Sequence, residues 1–249
     1  MGEACLNPVI DQTTIQNRLL GVLSLDDFSR LSPHLEPFSF EKEFVFVAVG
    51  ERIEHVYFLQ SGLSSEIAVS PDRLERTEIS SLGREGLTGH PVLLGVEQGC
   101  HHSFAQVEGH AYRIRREALM EAMEASSSLR RLLLAFLHTL MVQIAQTALS
   151  NSRYTIEQRL ARWVLMGHDR LGDTLLLTHD FFAIMLGVRR PGVTTALHLL
   201  EGDRLIRSDR AKVTVLDREG LKQRAAGSYG LPEAEYERVI GVRITAGRP

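Results

Sequence analysis

Apolar positions change period three times along the chain, and each change marks a new kind of element. Over residues 18–36, Leu19, Leu20, Leu23, Phe28, Leu31 and Leu35 recur at three- and four-residue steps and predict helix. Alternation takes over from 40 to 115, where Phe44, Phe46, Val56, Phe58, Ile67, Val69, Ile79, Leu82, Val92, Phe104, Val107, Tyr112 and Ile114 sit in short segments. Gly50, Gly62, Gly83, Gly86, Gly89, Gly95, Gly99 and Gly109 punctuate them. Short strands with turn signals at roughly 8–12-residue spacing predict an antiparallel β-roll. After Gly109 no glycine occurs before Gly167, and residues 127–150 form one long helical pattern. Leu133, Leu137, Leu140, Ile144 and Thr147 step by four, three, four and three, a heptad-like seam. Such a seam packs either into its own domain or along a partner helix; self-association is the expectation adopted here. A further helix is expected from Thr155 to His168, with Ile156, Leu160, Trp163 and Val164 on one face, before Gly172 and Asp173 break the chain.

Composition changes this picture little. A chain of 249 residues holds two small domains, and 44% hydrophobic with 24% charged residues is ordinary for a globular protein. The net charge of −3 gives no global sign of a nucleic-acid partner. Cys5 and Cys100 make no disulfide framework, which suits a reducing cytoplasm. The opening MGEACLNPVIDQTT lacks the basic start and apolar run of a secretory signal. The most apolar stretch, Leu129 to Leu149, is interrupted by Arg130, Arg131, His138, Gln143 and Gln146. It is expected to be a buried or partner-facing helix rather than a membrane span.

Residues 178–216 carry the candidate chemistry. Thr178 can cap a helix through its hydroxyl, and Phe181, Phe182, Ile184, Met185 and Leu186 follow. Gly187 supplies a tight turn with Val188 beneath it. A second helix is predicted from Arg190 to Gly202, with Val193, Leu197 and Leu200 inward and Arg189, Arg190, Thr194, Thr195 and His198 outward. Two short helices joined by a glycine turn form a helix-turn-helix, whose second helix enters the major groove. Pro191 falls in the first turn, where backbone N–H groups lack intrahelical partners anyway. The arginines beside it can pair with a guanine edge or neutralise phosphate. LIRSDRAKVTVLD then predicts a β-hairpin wing with Arg210 and Lys212 at its tip, and a last helix from Asp217. Residues 178–224 hold nine Lys/Arg against six Asp/Glu, a local excess of +3 inside an acidic chain.

The order of these elements resembles the Crp/Fnr family of bacterial transcription regulators over residues 15–225. VAVGERIEHVYFLQSG (47–62) is similar to the family's first β-roll turns, SLGREGLTGHPVLLG (81–95) to its ligand-binding turn, and LTHDFFAIMLGVRRPGVTTALHLLEGDRLI (177–206) to its helix-turn-helix. The resemblance implies an α+β protein with a jelly-roll-like antiparallel β-roll sensor (1–126), a dimerisation helix (127–150), a winged helix-turn-helix (151–226) and a C-terminal tail (227–249). It implies a homodimer on a near-palindromic operator in double-stranded DNA, RNA polymerase contact as in many members, and no membrane partner.

Members that bind cyclic AMP use a Gly-Glu pair and an Arg-Ser pair in the β-roll. The equivalent places here hold Gly89-His90 and His102-Ser103, in a degenerate pocket completed by Glu85 and Gly86. The acid is missing, and histidine lacks arginine's bidentate fork; at the corresponding place the long helix offers Ile144 and Ala145. Cyclic AMP control is therefore not expected. Iron–sulfur members need four cysteines, and this chain has two. Haem-sensing members use histidine or cysteine near the β-roll, where His90, Cys100, His101, His102 and His110 fall. Cys100-His101-His102 matches no established metal spacing, so neither a metal site nor a cofactor is expected. The alternatives are a metal- or haem-dependent sensor and a cupin-like enzyme. Against the enzyme, adjacent His101 and His102 point to opposite faces of a strand, whereas cupin ligands share one. No catalytic residues are assigned.

Overall fold

A computed structural model describes residues 10–72 and 74–245. Cys5 lies outside the described residues. The architecture is α+β. The expected N-terminal helix is broken into α1 (Arg18–Gly21) and α2 (Leu25–Leu31), each started by a side-chain cap, Asn17 and Ser24. The roll follows as β1 (Glu36–Phe40), β2 (Val45–Val47), β3 (His55–Leu59), β4 (Leu63–Val69), β5 (Arg76–Leu82), β6 (Leu87–Thr88), β7 (His102–Val107) and β8 (Gly109–Arg115). It forms two antiparallel sheets of order β1-β8-β3-β6 and β2-β7-β4-β5. Helices α3 (Arg116–Ala125) and α4 (Ser127–Arg153) lead out of it, and Ser126 caps α4.

The C-terminal half is built from α5 (Ile156–Leu171), β9 (Thr174–Leu175), α6 (His179–Leu186), α7 (Arg190–Gly202), β10 (Ile206–Asp209), β11 (Lys212–Val215) and α8 (Arg218–Arg224). Thr155 and Gln158 form a reciprocal capping box that starts α5. The wing gains a third strand, because β9 pairs with β11. Two hydrophobic cores result. One joins the roll to α1–α4 and the chain's C-terminal residues; the other gathers Trp163, Phe182, Leu197 and their neighbours from α5 to α8.

The α4 pattern needs correction. Leu133, Leu137, Leu140 and Thr147 are buried within the chain itself, and Ile144 is half-buried against the first core. The heptad pattern is real, but its buried members are spent inside the chain, Leu133, Leu137 and Leu140 on the core that the roll shares with the C-terminal residues, and Thr147 on Arg162 of α5, which donates to its hydroxyl at 3.1 Å. Length and composition alone would let α4 cross a membrane, yet much of its apolar surface is spent on this core. The unassigned tail becomes α9 (Leu231–Ile240), which lies along α4. Tyr236 is buried and donates to the Glu85 carbonyl at 2.7 Å, while His138 on α4 meets Glu235 at 2.8 Å.

Candidate nucleic-acid interface and the β-roll pocket

The helix-turn-helix forms by local rules. Thr178 accepts from the Phe181 N–H at 3.3 Å and starts α6. Gly187 closes α6 in the left-handed region at φ 59°, and an added Cβ would meet the Thr77 hydroxyl at 3.2 Å. Arg189 stands at the N-cap of α7 without capping it through its side chain, and Pro191 occupies the first turn. Val193, Leu197 and Leu200 are fully buried, while Arg189, Arg190, Pro191, Thr195 and His198 are exposed.

Arg190 is held loosely by Asp180 at 3.7 Å, both side chains being mostly exposed, so the guanidinium is free to exchange a carboxylate for a phosphate or a base. Thr194 meets His179 Nδ1 at 3.3 Å and Thr195 donates to the Pro191 carbonyl at 3.1 Å. These hydroxyls must rotate to reach a groove. Arg210 is exposed at the wing turn, where Ala211 takes φ 58°, and Lys212 is half-buried beside it. The structure thus brings the predicted basic residues to one end of α7 and to the wing.

The roll pocket departs from expectation. Gly89 turns the chain in the left-handed region, with an added Cβ only 2.8 Å from the His55 carbonyl, and so buries His90 inside the roll. Ser103 is also inside. His102, however, faces outward and stacks on Phe104 at 5.6 Å between ring centroids; His101 takes the inner place. One residue of register on β7 exchanges the two histidines. Glu85 does not face the pocket either. It accepts from the Gly83 N–H and forms a buried ion pair with Arg170 of α5 at 2.8 Å. Gly86 is pressed against Phe136 of α4, where a Cβ would stand at 2.9 Å.

Glu66 on β4 is the pocket residue that sequence inspection overlooked. It is buried, with Oε1 accepting from Ser103 at 2.7 Å and from Ser64 at 3.3 Å. Its Oε2 lies 2.9 Å from His101 Nε2. His90 and His101 stack with ring centroids 5.0 Å apart. Burial pulls His90 down to about 4, so its imidazole is neutral near pH 7. Burial would do the same to His101, but Glu66 outweighs it and lifts His101 to about 9. Burial opposes the Glu66 carboxylate, yet the two histidines and Ser103 hold it below its ordinary range. The signal that could have found Glu66 is a glutamate between two apolar strand positions, Leu63 and Ile67, in an otherwise inward-facing segment.

Residues 158–224 match the family model described as the Crp-like helix-turn-helix domain. Similar solved structures include FixK2 from Bradyrhizobium japonicum, 18% identical over 76% of this chain and 96% of that one, with a TM-score of 0.66. A Crp/Fnr-family transcriptional regulator from Eubacterium rectale is 17% identical over 84% and 98%, with a TM-score of 0.66. The c-di-GMP responsive global regulator CLP of Xanthomonas campestris is 16% identical over 77% and 99%, with a TM-score of 0.63. A search of curated proteins found no match.

Proposed function

This chain has the Crp/Fnr fold and a Crp-like helix-turn-helix domain, and from that premise we propose that it is a homodimeric, sequence-specific transcription regulator of the cytoplasm that works without cyclic AMP. It is a regulator and not an enzyme. The observation that carries the reading is the exposed N-terminal end of α7, where Arg189 and Arg190 precede Pro191 above a fully buried inner face. Direct readout of base edges needs this presentation, and Arg210 and Lys212 on the wing supply phosphate contacts beside it.

The homodimer uses the outer face of α4. Leu134, His138, Met141, Ala145 and Ala148 step by four, three, four and three, one residue out of phase with the buried seam. Met141 is 62% exposed and, nearby, Leu149 is 44% exposed, values that suit a partner helix better than water. Two such chains place their recognition helices about 34 Å apart on a near-palindromic operator, and RNA polymerase is the partner at a promoter. Independence from cyclic AMP rests on the pocket, where a buried His90–His101–Glu66 group occupies the space that an acid and an arginine would need.

Fluorescence anisotropy with duplexes selected from a random pool tests the reading. The expected result is enrichment of a two-fold symmetric site, bound as a dimer, with affinity falling steeply as salt rises and unmoved by cyclic AMP. Absence of duplex binding at low salt would overturn it.

A further inference from the structure

We propose that Glu66, His90 and His101 form a binding site for one divalent transition-metal ion inside the β-roll, and that this ion is the chemical class of effector the sensor takes. The proposal goes beyond the DNA-binding reading and its site does not depend on it. Three separate segments converge to make the group: β4 gives Glu66, the turn after β6 gives His90 and the residue just before β7 gives His101. Their potential ligand atoms all lie within 4.8 Å of one another, and the residues are buried or nearly so.

The hydrogen-bond accounting points to a missing partner. Glu66 Oε2, His90 Nδ1 and His101 Nε2 are buried, and none has a hydrogen-bond partner. Glu66 Oε2 and His101 Nε2 approach to 2.9 Å as an ion pair rather than an aligned hydrogen bond, so a metal ion would take the place of the His101 proton. Buried polar atoms left unsatisfied are costly, and such groups in a native protein call for an explanation. An ion lying among them satisfies all three at once.

The surrounding groups are set for that role. Ser103 and Ser64 hold Oε1 of Glu66 and leave Oε2 open. His101 Nδ1 lies 3.6 Å from Cys100 Sγ, so a proton kept on Nδ1 frees Nε2 as a ligand. Ligands at about 2.1 Å from a common ion stand roughly 3.0–4.2 Å apart. No separation here exceeds 4.8 Å, so the group closes with an adjustment of under an ångström, on the order of one side-chain rotation.

Donor chemistry fixes the class. Two imidazoles and one carboxylate suit zinc or ferrous iron with an open position for water. Calcium and magnesium ask for all-oxygen shells, and Cu(I) for thiolates. Cys100 turns its sulfur to the far nitrogen of His101 and is exposed, so it supports a ligand rather than being one.

The test uses the full chain, stripped with chelator and titrated with cobalt(II) chloride and then zinc chloride, without DNA. Visible cobalt absorption, calorimetry and elemental analysis should report one ion per chain, with zinc displacing cobalt. His90→Ala and Glu66→Gln should each weaken binding by more than the roughly 10–100-fold that loss of an outer-shell partner costs. His102→Ala, one residue away and facing outward, should bind as the wild type does. Circular dichroism checks folding; if Glu66→Gln does not fold, His90→Ala against His102→Ala decides. No saturable binding by the wild type, or full binding by folded His90→Ala, would overturn the proposal. Metal binding is scored apart from DNA, so loss of one reading leaves the other standing.

Discussion

Replacing Arg170 by methionine is the sharpest perturbation of the joint between the roll and the DNA-reading half. Arg170 Nε and Nη2 both lie 2.8 Å from Glu85 Oε1, and the two side chains are only 1% and 4% exposed. Arg170 Nη1 also donates to the Met166 carbonyl at 2.9 Å. Methionine keeps much of the volume but strands the Glu85 carboxylate away from water. Its remaining support is the Gly83 N–H at 3.1 Å, which does not replace a full positive charge. Removal of one partner from a buried pair costs about 3–5 kcal/mol, whereas replacing both partners by neutral groups of similar shape is often nearly neutral. Arg170→Met should therefore cost about 3–5 kcal/mol, and Glu85→Gln combined with Arg170→Met should recover most of it. With a urea slope of about 1–3 kcal/mol/M, the single variant should lower the midpoint by roughly 1–5 M. The chain's single tryptophan, Trp163, is buried on the same helix two turns before Arg170, so its fluorescence follows the affected half directly. A loss below about 1 kcal/mol, or a double variant as costly as the sum of the singles, would refute the assignment of the pair as the strut between the two halves.

Arg190→Ala should weaken binding to the selected operator by about 1–3 kcal/mol and relax its sequence preference, while Lys212→Ala should weaken all duplexes alike; anisotropy against operator and scrambled DNA separates the two. Met141→Glu should yield monomers in sedimentation with the fold intact, whereas Leu140→Ala should cost about 2–5 kcal/mol in urea and leave the dimer assembled. Burial lifts Glu78 to about 8 from an ordinary 4.5, so the folded chain keeps a proton that the unfolded chain releases early. Stability should accordingly fall as pH rises from 4.5 through 8, and Glu78→Gln should flatten that part of the urea-midpoint profile.

Legibility in the sequence follows the range of the forces involved. The helix-turn-helix is specified by neighbours: a hydroxyl three residues from its amide, a glycine at positive φ, a proline in a first turn. Each is a contact within four or five positions, and each lies where the pattern places it. The α4 seam was visible as an apolar stripe, but a stripe does not say what covers it. Leu133 and Leu140 found their cover in the core that the roll shares with the C-terminal residues, leaving the weaker stripe through Met141 outside. The pocket was the hardest part to read. Glu66 and His101 are 35 positions apart and meet only because β4 and β7 pair, with Glu66 opposite Ser103. Swapping His101 for His102 needed only one residue of register, which no local rule around residues 99–102 supplies.

That register has a mechanical consequence. Successive side chains of a strand face opposite sides. Ser103, with His101 two positions before it, therefore faces the buried glutamate, while His102 and Phe104 face the helix-turn-helix. Phe104 stacks on Phe181 of α6 at 6.1 Å, Lys42 sits 4.6 Å over the same ring, and Thr77 closes on Gly187 at the turn before the recognition helix. A cleft of about 520 Å³ lined by Arg76, His102, Phe104, Thr178 and Phe181 leaves room for α6 to shift there. The first segment of β7 is thus a single layer with the pocket on one side and the DNA-reading unit on the other. Phe104 lies three residues beyond His101 on the same strand run, so the metal proposed above, by drawing His101 toward Glu66 and His90, would act on the segment that carries Phe104. Glu85 adds a second connection: it lies five residues before His90 in the same turn and ends on Arg170 of α5. The pocket is thus joined to both α5 and α6 through packed or ion-paired contacts. Packed interfaces of this kind hold discrete arrangements rather than deforming smoothly, which is what a sensor must exploit to move two arginines into or out of a groove.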